Sequence, residues 1–371
     1  MDSGLRADTT FGARAERPVG LRTVDLLEYL EECRALVVDE IRRLVPRNPR
    51  YGPILYDLML EYPLRHAKGL RPALCIATCR AFGGGLEPSL RSAATLELYH
   101  NAFLIHDDVE DGSELRRGHP TLHRLHGIPI AVNVGDAMLA LALQPLLDNT
   151  AQVGLGKALR VLQIVARMAR ASAEGQALEL SWAREGRWLV SDADYARMVY
   201  RKTSWYTFIA PVLIGGVLAG ASPSQLGTLR GFAAALGIAF QIQDDVLNLT
   251  ADPERYGKEL CGDLWEGKHT LVLLHLLRVV EPDARTWIET VLRKARPGTA
   301  PPGRATKSTT DIATLRGLIE GHGSVHYARR AARRWTERAC RQLGRATATL
   351  SASVHRDLLW GLVDFVVDRD H

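Results

Sequence analysis

Cysteine is scarce in this sequence, with Cys33, Cys75, Cys79, Cys261 and Cys340 the only five in 371 residues. An odd number without paired metal-ligand spacing argues against disulfides and points to reduced thiols in a cytoplasmic compartment. No run of eighteen uninterrupted apolar residues occurs, so no transmembrane span is expected. The N-terminal stretch lacks the apolar core of a secretory signal. A large excess of one charge is also missing: 47 Lys and Arg stand against 42 Asp and Glu, a formal +5 spread along the chain. That excludes a basic stripe for nucleic acid, and Arg329-Arg330 with Arg333-Arg334 reads as a solvated helix face. Convincing period-two alternation is absent, which excludes a sheet-based fold.

The 46% hydrophobic content is enough for a sizeable core. Residues 1–22 are polar and are expected to be a disordered extension to one domain over 23–371. From Thr23 to Leu44 apolar residues recur at helical spacing, and Pro46 and Pro49 stop the helix. Further helices are expected over Ala73–Phe82, Ser89–Ile105, Ala131–Leu147 and Lys157–Leu180. Ser191 opens another through Lys202, followed by Phe208–Ala219 and a long helix from Ser222-Pro223 to Leu249. Thr270–Val280, Asp311–Gly321, Val325–Gly344 and Ser351–Val367 complete the set. Residues 116–128, 250–268 and 296–310 are expected to be loops, the last flexible and rich in Pro and Gly. The reading is an all-α, single-domain helical bundle, whose interior can build a central site from facing helices.

Two acidic stretches stand out. Asp107, Asp108 and Asp111 end an apolar helical run, at positions i, i+1 and i+4. Carboxylates this close repel unless a cation neutralises them, and Mg²⁺ shared with phosphate oxygens suits an all-oxygen set. Arg116 and Arg117 follow, a residue type fitted to phosphate. Gln241-Ile242-Gln243-Asp244-Asp245 repeats the pattern on a second apolar helix, with Asn248 in the third acidic position. Lys258 and Lys268 lie behind it, each flanked by glycine. Facing one another across a bundle, the two stretches would hold Mg²⁺ around one diphosphate.

From about residue 25 to the C-terminus the chain resembles the trans-isoprenyl diphosphate synthases, or polyprenyl synthetases. The resemblance rests on Asp107-Asp108-Val109-Glu110-Asp111 with Arg116-Arg117-Gly118, and on Gln241–Asn248 with Gly257-Lys258 and Gly262–Lys268. Lys68 with Arg71-Pro72, Glu97–His100 and Lys202-Thr203 add to it. It implies ionisation of an allylic diphosphate (dimethylallyl, geranyl or farnesyl), condensation with isopentenyl diphosphate and loss of a proton. Asp107, Asp108, Asp111, Asp244 and Asp245 are implied as Mg²⁺ ligands. Arg116, Lys202, Lys258 and Lys268 would hold the allylic diphosphate; Lys68, Arg71, His100 and Arg117 would hold isopentenyl diphosphate. Thr203 and Gln241 would face the cation with oxygen dipoles. The departing diphosphate takes the proton, so no protein base is assigned. Gln176 is a candidate for lining the site and Arg369 for closing it. A homodimer is the family expectation.

Two departures matter. Asn248 stands where many members carry aspartate, implying weaker metal binding there. Gly69 stands where many carry a further arginine, implying weaker hold on isopentenyl diphosphate. Product length is expected to depend on the turns before Asp107: Phe103 four back, Ala102 five back and Tyr99 eight back, about 12 Å up the axis at ~1.5 Å per residue. The small Ala102 with Tyr99 as floor favours geranylgeranyl diphosphate, while an inward Phe103 would favour a shorter product. A terpene cyclase would not need Lys68, Arg71, His100 and Arg117, and a non-catalytic partner subunit would not need both acidic motifs.

Overall fold

The computed structural model describes residues 23–252, 259–297 and 303–367. The expected extension over residues 1–22, together with Lys258 and Arg369, lies outside the described residues. Helices dominate: α1 Thr23–Leu44, α2 Asp57–Leu64, α3 Leu70–Ala81, α4 Leu86–Asp111, α5 Leu122–His126, α6 Ile128–Leu141, α7 Gln144–Asp148, α8 Thr150–Val153 and α9 Leu155–Glu185. Then follow α10 Asp192–Val199, a π-helical segment Tyr200–Ile209, α11 Ala210–Ala219 and α12 Pro223–Thr250. The chain closes with α13 Gly262–Glu266, α14 Leu271–Val279, α15 Pro282–Arg293, α16 Thr309–Gly321, α17 Ser324–Thr347 and α18 Val354–Val367.

Local chemistry sets several helix starts. Ser191 accepts the Asp194 amide at 3.1 Å, and Ser222 with Gln225 and Ser308 with Asp311 form reciprocal capping boxes. Apolar side chains gather in two clusters. One holds Leu74, Leu98, Ala102, Phe208 and Leu236; the other holds Tyr195, Ile242, Val246, Leu274 and Leu315. They adjoin along α12, where Ala239 belongs to the first and Ile238 to the second. The C-terminal half of α12 carries the second acidic stretch, so the site sits on this seam.

Several expectations are corrected. Residues 116–128 are not a plain loop: Leu115–Arg116 pairs antiparallel with His119–Pro120, and α5 follows. Residues 250–268 contain α13, and α15 occupies a stretch where the periodicity suggested no element. Within the described part of the 296–310 connection, the Ala295 amide donates to Ala305 O and the Lys307 amide to Ala295 O. Lys307 itself is only 3% exposed, and its ammonium donates to the carbonyls of Trp265 and Lys294. The stretch Ile128–Val153 reaches a mean hydropathy of 1.6. It is divided among α6, α7 and α8, the longest of them 14 residues. That is about 21 Å of helix, short of a roughly 30 Å hydrocarbon layer.

Candidate active site

Asp107 and Asp111 project one turn apart from the end of α4 and meet two lysines from elsewhere in the chain. Lys202 Nζ lies 3.5 Å from Asp107 Oδ1, and Lys268 Nζ lies 2.9 Å from Asp111 Oδ2. Lys202 comes from the π-helical segment, Lys268 from the loop beyond the second acidic stretch. The bundle therefore joins both halves of the motif set at one place.

The electrostatics are tight. Burial acts to raise the Asp107 carboxyl, but Lys202, Lys268 and Arg116 outweigh it and hold it at about 2. Burial pushes Asp111 up to about 7, with Asp107 and Glu266 adding to the rise against the pull of Lys268. Lys202 is opposed by burial yet held protonated by Glu179 and Asp107. Glu179, which the sequence reading passed over, forms a direct ion pair with Lys202. Its position three residues after Gln176 on α9 was the available signal. Gly175 makes this contact possible: a Cβ there would stand 2.3 Å from the Lys202 backbone nitrogen. Gln176 itself donates to Glu110 at 2.6 Å.

Asp108 does not share this face. Successive helical residues point about 100° apart, since a turn takes about 3.6 of them. Asp108 is fully buried, accepts the Tyr62 hydroxyl at 2.6 Å and is clasped by Arg116, whose Nε is 2.9 Å away. In this arrangement Asp108 anchors Tyr62 and Arg116 instead of standing beside Asp107 and Asp111, while Arg116 also reaches to 3.9 Å from Asp107. Asp245 repeats the arrangement. It is 5% exposed, accepts Tyr195 Oη at 2.7 Å and Gln241 Nε2 at 2.8 Å, and is driven well above the carboxylate range by burial and Asp263. Asp244 is half-buried beside it on α12.

Magnesium would therefore be held by Asp107 and Asp111 from α4 and by Asp244 from α12, an all-oxygen set suited to a hard cation. Among the described residues no three acidic or imidazole side chains converge on a single position. The ligand's phosphate oxygens and water would complete the shell, as is usual for Mg²⁺.

Thr203 donates to Gln241 Oε1 at 2.8 Å, which leaves the threonine oxygen lone pairs available. Around Lys202 and Thr203 the backbone is π-helical over ten residues. Such segments are rare and frequent at functional sites. Lys268 is positioned by its neighbour His269, which stacks on Trp188 at 4.4 Å and contacts Arg187 O at 3.1 Å. A cavity of about 650 Å³ opens beside Asp111, lined by Glu266, Lys294, Arg296 and Lys307 among others.

The second basic group assembles around His100. Arg117, at φ 54°, donates to Tyr62 O at 2.9 Å, and its other terminal nitrogen is 3.5 Å from His100 Nε2. Burial, then Arg71, Arg117 and Arg116, push His100 well below its usual range, so the ring is neutral. Its buried Nδ1 has no hydrogen-bond partner among the described residues. Arg71 donates to Thr207 at 2.8 Å, and Lys68 Nζ lies 5.2 Å above the Phe365 ring. Gly69 has φ 62°, and a Cβ there would stand 2.8 Å from both Leu30 O and Arg34 Cβ, so no arginine fits without moving α1.

Asn248 is not poised as a simple ligand. Its side-chain oxygen accepts the Asp263 amide at 3.1 Å and its nitrogen donates to Glu259 O, folding the loop that leads to Lys268. Of the residues expected to measure the product, Ala102 is fully buried in the core. Phe103 instead meets Tyr99 at 5.9 Å and Tyr206 at 5.8 Å, both edge to face.

Residues 53–301 match the family described as polyprenyl synthetase. The chain is 31% identical over 304 residues to a short chain isoprenyl diphosphate synthase of Methanothermobacter thermautotrophicus, covering 82% of this chain and 87% of that one. It is 31% identical over 303 residues to an octaprenyl diphosphate synthase of Escherichia coli, covering 82% and 86%. A crystal structure of geranylgeranyl pyrophosphate synthase from Corynebacterium glutamicum, complexed with isoprenyl diphosphate and magnesium, superposes with a TM-score of 0.78 at 25% identity, covering 93% and 99%.

Proposed function

The chain belongs to the polyprenyl synthetase family and is a trans-prenyltransferase; from that premise we propose a Mg²⁺-dependent elongase whose principal product is geranylgeranyl diphosphate. Its substrates are isopentenyl diphosphate and an allylic diphosphate: dimethylallyl, geranyl or farnesyl. The observation that carries this reading is the meeting of Lys202 and Lys268 with Asp107 and Asp111, two cations and two carboxylates from distant parts of the chain. Such a site has the charges of both a diphosphate clamp and a metal clamp.

Bound magnesium would supply the positive charge that stabilises the leaving diphosphate oxygens. The protein's own residues do the rest. Lys202 and Lys268 turn toward the diphosphate as it binds and keep it oriented while the allylic C–O bond breaks. The Thr203 oxygen, its proton committed to Gln241, presents lone pairs to the allylic cation. Arg71, Arg117, Lys68 and neutral His100 hold isopentenyl diphosphate so that its double bond lies against that cation. A new C–C bond forms, and the proton lost in restoring the double bond leaves with the inorganic diphosphate.

Family membership leaves product length open, since relatives include both a short chain and an octaprenyl synthase. The Tyr99–Phe103 aromatic pair, one to two turns above Asp107, supports a short product. A homodimer is part of the same proposal. Ile128, Ile130, Val132, Leu143 and Leu147, with Leu155, Leu159 and Leu162 on α9, are exposed apolar residues that a second copy would cover. A cytoplasmic setting is supported by the small and odd number of cysteines in the sequence. The test is a reaction of purified protein with Mg²⁺, isopentenyl diphosphate and each allylic primer, with products sized by mass spectrometry. Geranylgeranyl diphosphate is expected; predominant farnesyl or longer products would overturn the length assignment, and no condensation would overturn the activity.

A further inference from the structure

Among the described residues, Tyr206 is an aromatic ring that touches both ends of the site. Arg71 Cζ lies 4.7 Å from its centroid, and the His100 ring stacks on it at 5.8 Å with planes 19° apart. Phe103 meets it edge to face at 5.8 Å and 77°, and Phe103 in turn meets Tyr99. The first two contacts belong to the group assigned to isopentenyl diphosphate. The third is to Phe103, one of the aromatic pair assigned to the product tail. Tyr206 is half-buried, as a ring lining an open space would be.

Tyr206 lies four residues after Lys202 in the π-helical segment Tyr200–Ile209. With hydrogen bonds reaching to i+5, a turn takes more than four residues, so residues four apart stand nearly in line. Lys202 and Tyr206 therefore share one face, and Thr203 and Thr207 share another. Thr207 accepts the Arg71 guanidinium at 2.8 Å, which fixes that cation over the neighbouring ring. A cation held over a ring face is attracted by the ring's quadrupole, and edge-to-face pairs lock ring orientation. Moving Phe103 outward to admit a longer tail would disturb the ring on which Arg71 and His100 rest.

We propose that Tyr206 is a specificity-determining residue, the shared wall between the isopentenyl diphosphate pocket and the channel for the growing tail. It sets product length and the hold on isopentenyl diphosphate together, through one ring. The inference rests on the assignment of Arg71 and His100 to isopentenyl diphosphate, so the experiment includes a variant that tests that assignment alone.

The variants are Tyr206→Phe, Tyr206→Leu, Tyr206→Ala and Arg71→Ala. Each is checked for native helicity by circular dichroism, then for KM toward isopentenyl diphosphate and for product length. Tyr206→Phe keeps the ring and should match wild type within about twofold in KM, with the same product. Tyr206→Ala should raise KM about tenfold, the loss of one cation–π contact and one stacked pair, and lengthen the product by at least one five-carbon unit. Tyr206→Leu fills space without a π face; it should raise KM while extending the product less than alanine does, and it replaces alanine if that variant does not fold. Arg71→Ala should raise KM without changing product length. An unchanged KM in Arg71→Ala would defeat the substrate assignment. A Tyr206 variant that changes KM alone, product length alone or only kcat would overturn the shared wall, whatever Arg71→Ala shows.

Discussion

Tyr195 donates its hydroxyl to Asp245 across 2.7 Å, in the same relation that Tyr62 bears to Asp108 at 2.6 Å. In each acidic pair the second carboxylate is turned inward onto a buried phenol, and the first is only partly buried. Removing one hydroxyl leaves a buried carboxylate short of a donor, which costs about 1–3 kcal/mol. Tyr195→Phe should lose stability in that range by denaturant unfolding, with turnover falling about tenfold, the lower end for a lost outer hydrogen bond. Tyr62→Phe should cost at least as much, because the Leu122 amide also donates to that oxygen. Loss of all activity with unchanged stability would instead make the phenols part of the chemistry.

The outward carboxylates should behave in the opposite way. Asp107→Ala leaves Lys202 with Glu179, so the fold keeps its buried ion pair. Asp107→Ala and Asp244→Ala should each reduce turnover at least about 10³-fold while leaving the circular dichroism spectrum unchanged. Near wild-type activity in either variant would remove it from the metal set.

Much of this arrangement was legible before any coordinates. Long helices such as α4 and α12 announce themselves by sustained apolar content without breakers, and adjacent aspartates at their ends announce a charge that needs neutralising. What could not be read was direction. Asp108 and Asp245 belong to the motifs by spelling, but only the packing of Tyr62 and Tyr195 shows them turned inward. The π-helical winding of Tyr200–Ile209, a segment packed against α9, α11 and α12, has no residue signature of its own. Glu179 was missed because one carboxylate on a long amphipathic helix looks like any solvated residue until Lys202 is placed beside it. The hairpin and α5 after Asp111 were too short to show a period.

Acid should weaken metal binding through Asp111. Burial raises its carboxyl to about 7 in the free protein, so below that pH a proton must leave before Mg²⁺ can bind. The Mg²⁺ concentration for half-maximal rate should rise by up to about tenfold per pH unit below 7 and level off above it. Chelation should abolish turnover reversibly, and a pH-independent Mg²⁺ requirement between 5.5 and 7 would argue against Asp111 as a ligand.

Tyr99 is the deeper member of the aromatic pair, so its removal opens space beyond Phe103 without touching the ring of Tyr206. Tyr99→Ala should lengthen the product by at least one five-carbon unit, read by mass spectrometry, and leave KM for isopentenyl diphosphate within about twofold. An unchanged product would remove Tyr99 as the floor.

Lys307 carries the pH dependence of folding that is easiest to isolate. Burial lowers its ammonium from 10.5 to about 8, and the hydrogen bonds it donates go to the backbone carbonyls of Trp265 and Lys294. Between pH 8 and 10.5 the unfolded chain holds a proton that the folded protein has released, so stability rises with pH across that window. Below pH 8 both states are protonated and the full penalty of burying the charge is present, on the order of 3 kcal/mol from the size of the depression. Lys307→Met removes the titration along with two hydrogen bonds, so its absolute stability at pH 7 reflects both losses. The slope is the cleaner quantity. Denaturant unfolding from pH 7.5 to 10.5 should show the wild type gaining stability relative to Lys307→Met, and parallel curves would show that Lys307 keeps an ordinary pKa in the folded protein.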